Sequence, residues 1–353
     1  MIYYLILSVL FFFSIVDFFS GKYEKEFHYC FYAFFLLLLV VSGLRYGIGM
    51  DYFAYNGLYQ DSFELNDEIK ETGFRYLFYF FKNISVPFAC MIFLFSYITM
   101  KYAFCFIRKY SPFVFLSVLI FYSVGQFYFN TFNVIRQTLV AYVFLGVLVG
   151  WLEERNFKKY LLGVIFMSFC FHMSAIILLP LYFFVYKRIN NYIRLLIIIL
   201  LYFSSSLLIF LIYNSPYSMY LTFEHNSAEV ALTMYLVFII AVIIAVFESF
   251  YSVKTVREKI LFNLNYISIV IIMLVILFEN TPLVLFFSRI SYFFTPVQIV
   301  LIPIIINHFF QHKSKLIIIS LLSILYTGLC IMSIHSNGVS NRLLPYQTIF
   351  STY

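Results

Sequence analysis

An arginine–glutamine pair and a histidine lie within long apolar stretches of this sequence. Arg136 and Gln137 open one such stretch, and His172 lies in the middle of the next. Ionisable side chains inside membrane segments are costly, so their presence favours a functional role. Two structural explanations compete with it: an arginine at a helix end can extend to the membrane interface, and a lone histidine can be a hydrogen-bonded core residue. The case for a site therefore depends on the rest of the chain.

Seven basic residues stand apart from the lysine-rich connections between the apolar stretches. They are Arg45, Lys70, Arg75, Lys82, Arg136, Arg289 and Arg342. Isolated arginines suit bidentate recognition of phosphate oxygens better than lysines do. We expect Arg136 and Arg289 each to begin a helix, where free backbone N–H groups and the helix dipole add positive charge. The pattern predicts a site for an anionic headgroup, such as a diphosphate. The alternatives are anchoring in lipid headgroups or ion pairs with Asp51 or Glu279.

The segment 42–55, SGLRYGIGMDYFAY, combines glycines with tyrosines. The glycines permit tight turns and close backbone approach. Tyrosines such as Tyr52 and Tyr55 offer ring faces and hydroxyls of the kind that hold sugars. The G-x-G within it is not a nucleotide fingerprint, because no strand precedes it and GxGxxG is not completed. The segment therefore indicates a sugar-contacting loop.

The overall composition indicates the class of protein in which these residues are positioned. Hydrophobic residues make up 63% of the 353 and charged residues 11%, with mean hydropathy +0.94, which is typical of a polytopic membrane protein. The five cysteines all lie in apolar runs at unrelated spacings, so they predict neither a metal site nor a disulfide framework. The basic residues lie at membrane edges, and nucleic-acid binding is not expected.

A membrane-spanning helix needs about 20 mostly apolar residues. The candidate spans are 2–20, 27–44, 86–107, 112–129, 134–152, 160–186, 193–213, 229–251, 264–280, 289–308 and 316–335. The aromatic, mildly basic segment 73–85 predicts an interfacial helix. We therefore expect an all-α polytopic integral membrane protein of about 11–12 transmembrane or re-entrant helices. It would form a single membrane domain over 1–353, with an outer loop at 45–72 and an outer C-terminal tail at 336–353.

Lysine and arginine usually mark the cytoplasmic connections. Six connections carry most of them, at 22–25, 101–109, 155–159, 187–194, 254–259 and 313–315. All six can face the cytoplasm if the N-terminus is outside and 160–186 is a helical hairpin broken near His172. Each half would then hold about 13 residues and extend for about 20 Å, which suits tilted or re-entrant segments buried in protein. The isolated arginines then lie at or near the outer face.

Five short patterns carry a resemblance that runs nearly end to end. They are Arg45-Tyr46-Gly47-Ile48-Gly49-x-Asp51-Tyr52-x-x-Tyr55, Asn133-x-x-Arg136-Gln137, Phe171-His172-x-Ser174-Ala175, Ser288-Arg289-Ile290 with Tyr292, and Leu344-Pro345-Tyr346-Gln347-x-Ile349-Phe350. Together they resemble the EpsG family, which includes Wzy-type O-antigen and exopolysaccharide polymerases. The chain departs from the pattern at Met50, where a small residue is expected.

The resemblance implies a GT-C-type glycosyltransferase of the bacterial inner membrane, with its active site facing the periplasm. The donor would be a growing glycan on undecaprenyl diphosphate, and the acceptor a lipid-linked repeat unit. Arginines can stabilise a diphosphate leaving group without a metal, so neither a metal nor a cofactor is expected. The expected partners are undecaprenyl-diphosphate-linked glycans and membrane lipids, with no nucleic acid. Whether a chain-length regulator binds stays open.

The residues expected to form the site fall into two groups. A base near neutral pKa could deprotonate the acceptor hydroxyl, and His172 and Asp51 are the candidates. The expected diphosphate- and substrate-binding residues are Arg45, Arg136, Gln137, Arg289, Tyr52 and Tyr55.

Other functions share some of these features. A lipid-linked oligosaccharide flippase predicts two matching halves with charges along a central cavity. An O-antigen ligase predicts one large outer loop, and a membrane acyltransferase would leave the outer arginines unexplained. A non-catalytic scaffold predicts that Arg136→Ala has no effect. Short outer loops and arginines gathered on one face favour the polymerase.

Overall fold

The computed structural model confirms an all-α, multi-pass membrane protein. It describes residues 2–18, 24–63, 69–187, 232–251, 255–279, 283–337 and 342–351, with residues 65, 281 and several between 196 and 214 described singly. In these ranges seven helical segments, with Leu283–Phe309 counted as one, are long and apolar enough to cross a membrane, and no strand forms beyond one isolated bridge. The predicted span 193–213 lies largely outside the described residues, as does part of the predicted tail 336–353.

The helices are numbered here in chain order. Those of the first half are α1 Ile2–Val16, α2 Glu24–Gly43, α3 Tyr52–Gln60, α4 Thr72–Asn83, α5 Phe88–Tyr110, α6 Val114–Ser123, α7 Ile135–Glu153 and α8 Phe157–Cys170. Those of the second half, in the described residues, are α9 Leu181–Phe184, α10 Leu232–Phe250, α11 Val256–Leu277, α12 Leu283–Ser291, α13 Gln298–Phe309 and α14 His312–Asn337. Helix α4 lies where the interfacial helix 73–85 was predicted, whereas α3 was not expected within the loop 45–72.

The chain divides into two compact units. One combines Met1–Leu179 with Ile302–Tyr353, and the other is Pro180–Leu301. In the first unit α1 packs against α6 and α14, and both α2 and α7 pack against α5. In the second unit α11 packs against α10 and α12. That the chain forms one membrane domain stays a prediction.

Helix α6 is a short helix enclosed by its neighbours, and here the predicted span 112–129 is wrong. Nine of its ten residues are buried, and ten residues extend for only about 15 Å. The Asp17 carboxylate from the end of α1 caps it, accepting the backbone N–H of Phe115 at 2.7 Å and of Leu116 at 3.2 Å. The helix stops because the chain turns at Gly125, whose carbonyl accepts the N–H of Asn130. The apolar composition here reflects burial in protein.

The segment around His172 reverses the direction of the chain. Helix α8 ends at Cys170, and a 3₁₀ helix over Met173–Leu178 packs back against it. The Tyr160 hydroxyl, near the start of α8, donates to the Leu178 carbonyl at 2.5 Å. This bond joins residues near the two ends of the reversed segment. On which side of the membrane the turn lies stays a prediction.

Candidate functional site

The glycine-rich loop after α2 lies directly on the turn that precedes α7. Gly47 and Gly49 have φ of +64° and +96°, a region that favours glycine. A Cβ at Gly49 would overlap the carbonyl of Phe132. The next residue, Met50, donates its backbone N–H to the Asn133 side-chain oxygen at 2.7 Å. The two sequence patterns that begin at Arg45 and Asn133 are therefore in contact in the folded chain.

Arg45 holds this loop together from inside the protein. Its side chain is fully buried and donates to the carbonyls of Ser42 and Ile48 and to the Ser96 hydroxyl, the last at 3.1 Å. The guanidinium also lies over the Phe132 ring, 4.8 Å from its centroid. Burial lowers the pKa of Arg45 to about 10, so it remains charged at neutral pH. These contacts give Arg45 a structural role, and its predicted contact with substrate stays a prediction.

The C-terminal pattern completes the loop. The Tyr346 hydroxyl donates to the Val41 carbonyl, 305 residues away in the sequence, at 3.0 Å. The backbone N–H of Tyr46 donates to Gln347, and that of Ile349 donates to Leu44, both at 3.0 Å. The end of the chain thus supports the loop that carries Asp51, Tyr52 and Tyr55.

Arg136 is a predicted anion-binding residue that the structure leaves partly exposed. It is the second residue of α7, as expected, and its side chain is 22% exposed. Its Nε donates to the Tyr55 hydroxyl at 3.1 Å, and its Nη1 lies 2.5 Å from a Glu71 carboxylate oxygen. The Phe74 ring covers the guanidinium at 5.0 Å. Two of the five N–H groups are thereby engaged, and in the described residues three remain for a ligand.

Glu71 is the partner that the sequence did not identify. The sequence allows ion pairs of the arginines with Asp51 or Glu279, but Arg136 pairs with Glu71. Its signal in the sequence is weak: Glu71 is one of several acids in the loop 45–72, although it is the one immediately before α4. Its side chain is 8% exposed. Its second oxygen accepts the backbone N–H of Met173 at 3.4 Å.

A cavity of about 310 Å³ opens beside this ion pair. Its polar lining residues are Lys70, Glu71, Thr72 and Ser168, and its apolar ones are Ile165, Phe169, Met173 and Ile176. A cavity lined by both kinds of side chain suits an amphipathic ligand.

His172 lies at the turn next to Met173, in extended backbone with φ of −156°. Its Nδ1 accepts the backbone N–H of Ser174 at 3.2 Å and lies 2.7 Å from the Ser174 hydroxyl. Because Nδ1 accepts, the neutral ring carries its proton on Nε2. In this tautomer the ring acts as a hydrogen-bond donor through Nε2, and acting as a base would require Nδ1 to leave Ser174.

The other predicted residues differ in their settings. Asp51 directly precedes α3, and its carbonyl accepts the N–H of Tyr55 at 3.0 Å. Tyr52 packs edge-on against Phe88, and burial raises its pKa. Gln137 is fully buried within α7. Their predicted contacts with substrate stay predictions.

The prediction that Arg289 begins a helix is wrong. It lies in the last turn of α12, Leu283–Ser291, which starts six residues before it. The apolar run over 283–287 already forms helix, and Pro296 favours a break before the next long helix starts at Gln298. At a helix C-terminus the dipole is negative, so it stabilises the arginine but offers no N–H groups to an anion. Arg289 belongs to the second unit, and a diphosphate contact there rests on its side chain alone.

No three His, Cys, Asp or Glu side chains of the described part of the chain group closely enough to hold a metal ion.

The comparisons with known proteins agree with the patterns in the sequence. The EpsG family profile matches residues 28–348, nearly the whole chain, and the chain belongs to this family. EpsG-like proteins are Wzy-type polymerases, so this is a polysaccharide polymerase-type membrane protein. Searches of curated proteins and of solved structures find no match.

Proposed function

We propose that the protein is a metal-independent glycosyltransferase that polymerises a lipid-linked polysaccharide at the outer face of the bacterial inner membrane. It would transfer the growing glycan from undecaprenyl diphosphate to the non-reducing end of an undecaprenyl-diphosphate-linked repeat unit. The product would be an O-antigen or an exopolysaccharide. The proposal joins the family membership to the chemistry that the first unit can supply.

One observation carries the proposal: Arg136 at the start of α7 is fixed in orientation yet still able to bind. Among the described residues, Tyr55 and Glu71 hold two of its N–H groups and leave three. The helix N-terminus adds its dipole to the guanidinium charge. A diphosphate is the anion that such a planar donor recognises in bidentate fashion.

In the proposed reaction the acceptor hydroxyl attacks the anomeric carbon of the donor. The new glycosidic C–O bond forms as the bond to undecaprenyl diphosphate breaks, and the lipid diphosphate leaves with the electron pair. Arg136 would stabilise the charge that develops on this leaving group. Arg289 stays a separate proposal, as a diphosphate-binding residue of the second unit.

The hydroxyl proton must pass to a base. The hydrogen bond from Ser174 to Nδ1 of His172 favours Asp51 for this role. The Nε2–H of His172 would then donate to substrate. Asp51 lies one helical turn before Tyr55, whose hydroxyl binds Arg136.

Polymer length in a strain that lacks the gene tests the function. We expect the ladder of surface glycan to collapse to a single repeat unit, because assembly and export of the unit continue without polymerisation. Complete loss of surface glycan would contradict the proposal and indicate a flippase or a ligase. An unchanged ladder would indicate a scaffold or an unrelated activity. Reintroducing the wild-type gene controls for effects on neighbouring genes.

A further inference from the structure

A single carboxylate connects Arg136 to the turn that carries His172. One oxygen of Glu71 lies 2.5 Å from Nη1 of Arg136, and the other accepts the N–H of Met173, the neighbour of His172, at 3.4 Å. Arg136 and Met173 belong to separate elements, α7 and the turn after α8. Of the described residues, Glu71 is the one that bonds to both.

The surroundings fix this carboxylate in place. Gly73, in the first turn of α4, packs so closely on Cys170 that a Cβ would lie 2.6 Å from the Cys170 Cα. This contact holds the start of α4 against the end of α8, with Glu71 immediately before it. Burial strengthens the effect, since an ion pair shielded from water is screened much less than one at the surface.

We propose that Glu71 is the positioning residue of this site. Its carboxylate sets the orientation of the Arg136 guanidinium and, through the same group, the position of the turn that carries His172. Its negative charge also weakens the hold of Arg136 on a diphosphate, so that the lipid diphosphate product can leave after transfer. The inference rests on the proposed function for the reaction, but its effect on anion binding can be measured without it.

Two variants separate the geometry of Glu71 from its charge. Glu71→Gln keeps the shape of the side chain but removes the charge that opposes an anion at Arg136. Glu71→Asp keeps the charge, but a side chain one methylene shorter cannot reach both Arg136 and Met173. Asp61→Asn is the matched control, because it removes an exposed acid from the same loop.

The first measurement is the binding of inorganic pyrophosphate to the purified full-length protein in nanodiscs. We expect Glu71→Gln to tighten the dissociation constant by at least about fivefold, the lower end of typical coupling between two sites. Asp61→Asn should bind as the wild type does, and Glu71→Asp, which keeps the charge, should tighten binding by less than Glu71→Gln does. Unchanged or weaker binding by Glu71→Gln would overturn the role of the charge, whether or not the protein is a polymerase.

The second measurement is turnover of a lipid-linked repeat unit by the same preparations. We expect both Glu71 variants to fall about 10–100-fold, the range found when a residue that orients a ligand group is removed. For Glu71→Gln we expect tighter anion binding together with slower turnover. A Glu71 side chain that only stabilised the fold would not give this combination. Wild-type turnover by Glu71→Asp would overturn the positioning role. A wild-type protein that makes no polymer would refute the proposed function and leave the pyrophosphate result to decide on Glu71.

Discussion

Replacing Arg136 by lysine keeps the positive charge at the start of α7 but removes the planar guanidinium. Lysine is more informative than alanine here, because alanine would leave the Glu71 carboxylate buried without its cation. Breaking a buried ion pair from one side costs about 3–5 kcal/mol of stability. Loss of polymer from an alanine variant could then reflect unfolding, whereas the lysine variant still pairs with Glu71.

The expected loss of activity in Arg136→Lys follows from the number of N–H groups that each side chain can offer to a ligand. Arg136 has five N–H groups and, in the part of the chain that the structure describes, uses two of them for Tyr55 and Glu71, which leaves three for a ligand. A lysine has three N–H groups, and the same two bonds would leave one. The variant thus offers two fewer donors, and losing even one donor to a developing negative charge costs about 3 kcal/mol of barrier, or roughly 100-fold or more in rate. We therefore expect Arg136→Lys to lose most of its polymer.

The assay is polymer length in cells together with the amount of the variant in the membrane. Arg108→Lys is the matched control, because Arg108 also donates to a tyrosine hydroxyl, that of Tyr32, but is exposed and far from the site in sequence. We expect Arg108→Lys to make full-length polymer and Arg136→Lys to be present at a normal level without it. Full polymer from Arg136→Lys would refute the reasoning, because it would show that a planar bidentate donor is not needed.

Three further predictions test the supporting loop, the histidine and the topology. Gly49→Ala should lower the amount of folded protein, since its φ of +96° and the overlap of a Cβ with a neighbouring carbonyl cost about 1–3 kcal/mol. Gly57→Ala, where a Cβ meets nothing within 4 Å, should be tolerated in the same immunoblot. His172→Ala should turn over lipid-linked substrate about 10²–10³-fold more slowly at a normal membrane level, because it removes the Nε2–H proposed to donate to substrate. A fully active His172→Gln with an unchanged pH profile would instead show that the ring only holds its turn. A cysteine at Asn190 should resist an impermeant thiol reagent added from the periplasm, and one at Asn226 should react. Labelling at Asn190 would contradict a cytoplasmic position for that connection.

The sequence alone determined the class of protein and much of its helical organisation. Its 63% hydrophobic composition requires backbone hydrogen bonds to be satisfied within helices, since a bilayer offers no water to replace them. Long apolar runs such as 86–107 became α5 because the run itself supplies the helix and its buried face. The glycines of the loop predicted tight turns, because their conformational freedom depends on the residue itself and not on distant contacts. The short patterns identified the family.

Only the tertiary structure decided which charged groups meet. Arg136 and Glu71 are 65 residues apart, and no local pattern distinguishes Glu71 from the other acids of its loop. Burial was equally hidden: Arg45 resembled a ligand-binding arginine but is enclosed by carbonyls from its own loop and by Ser96 of α5. The apolar composition of a stretch does not show whether lipid or protein surrounds it. The sequence therefore predicts a span over 112–129, where the structure has the enclosed helix α6. Pairing and burial depend on contacts between distant segments, and these exist only once the chain has folded.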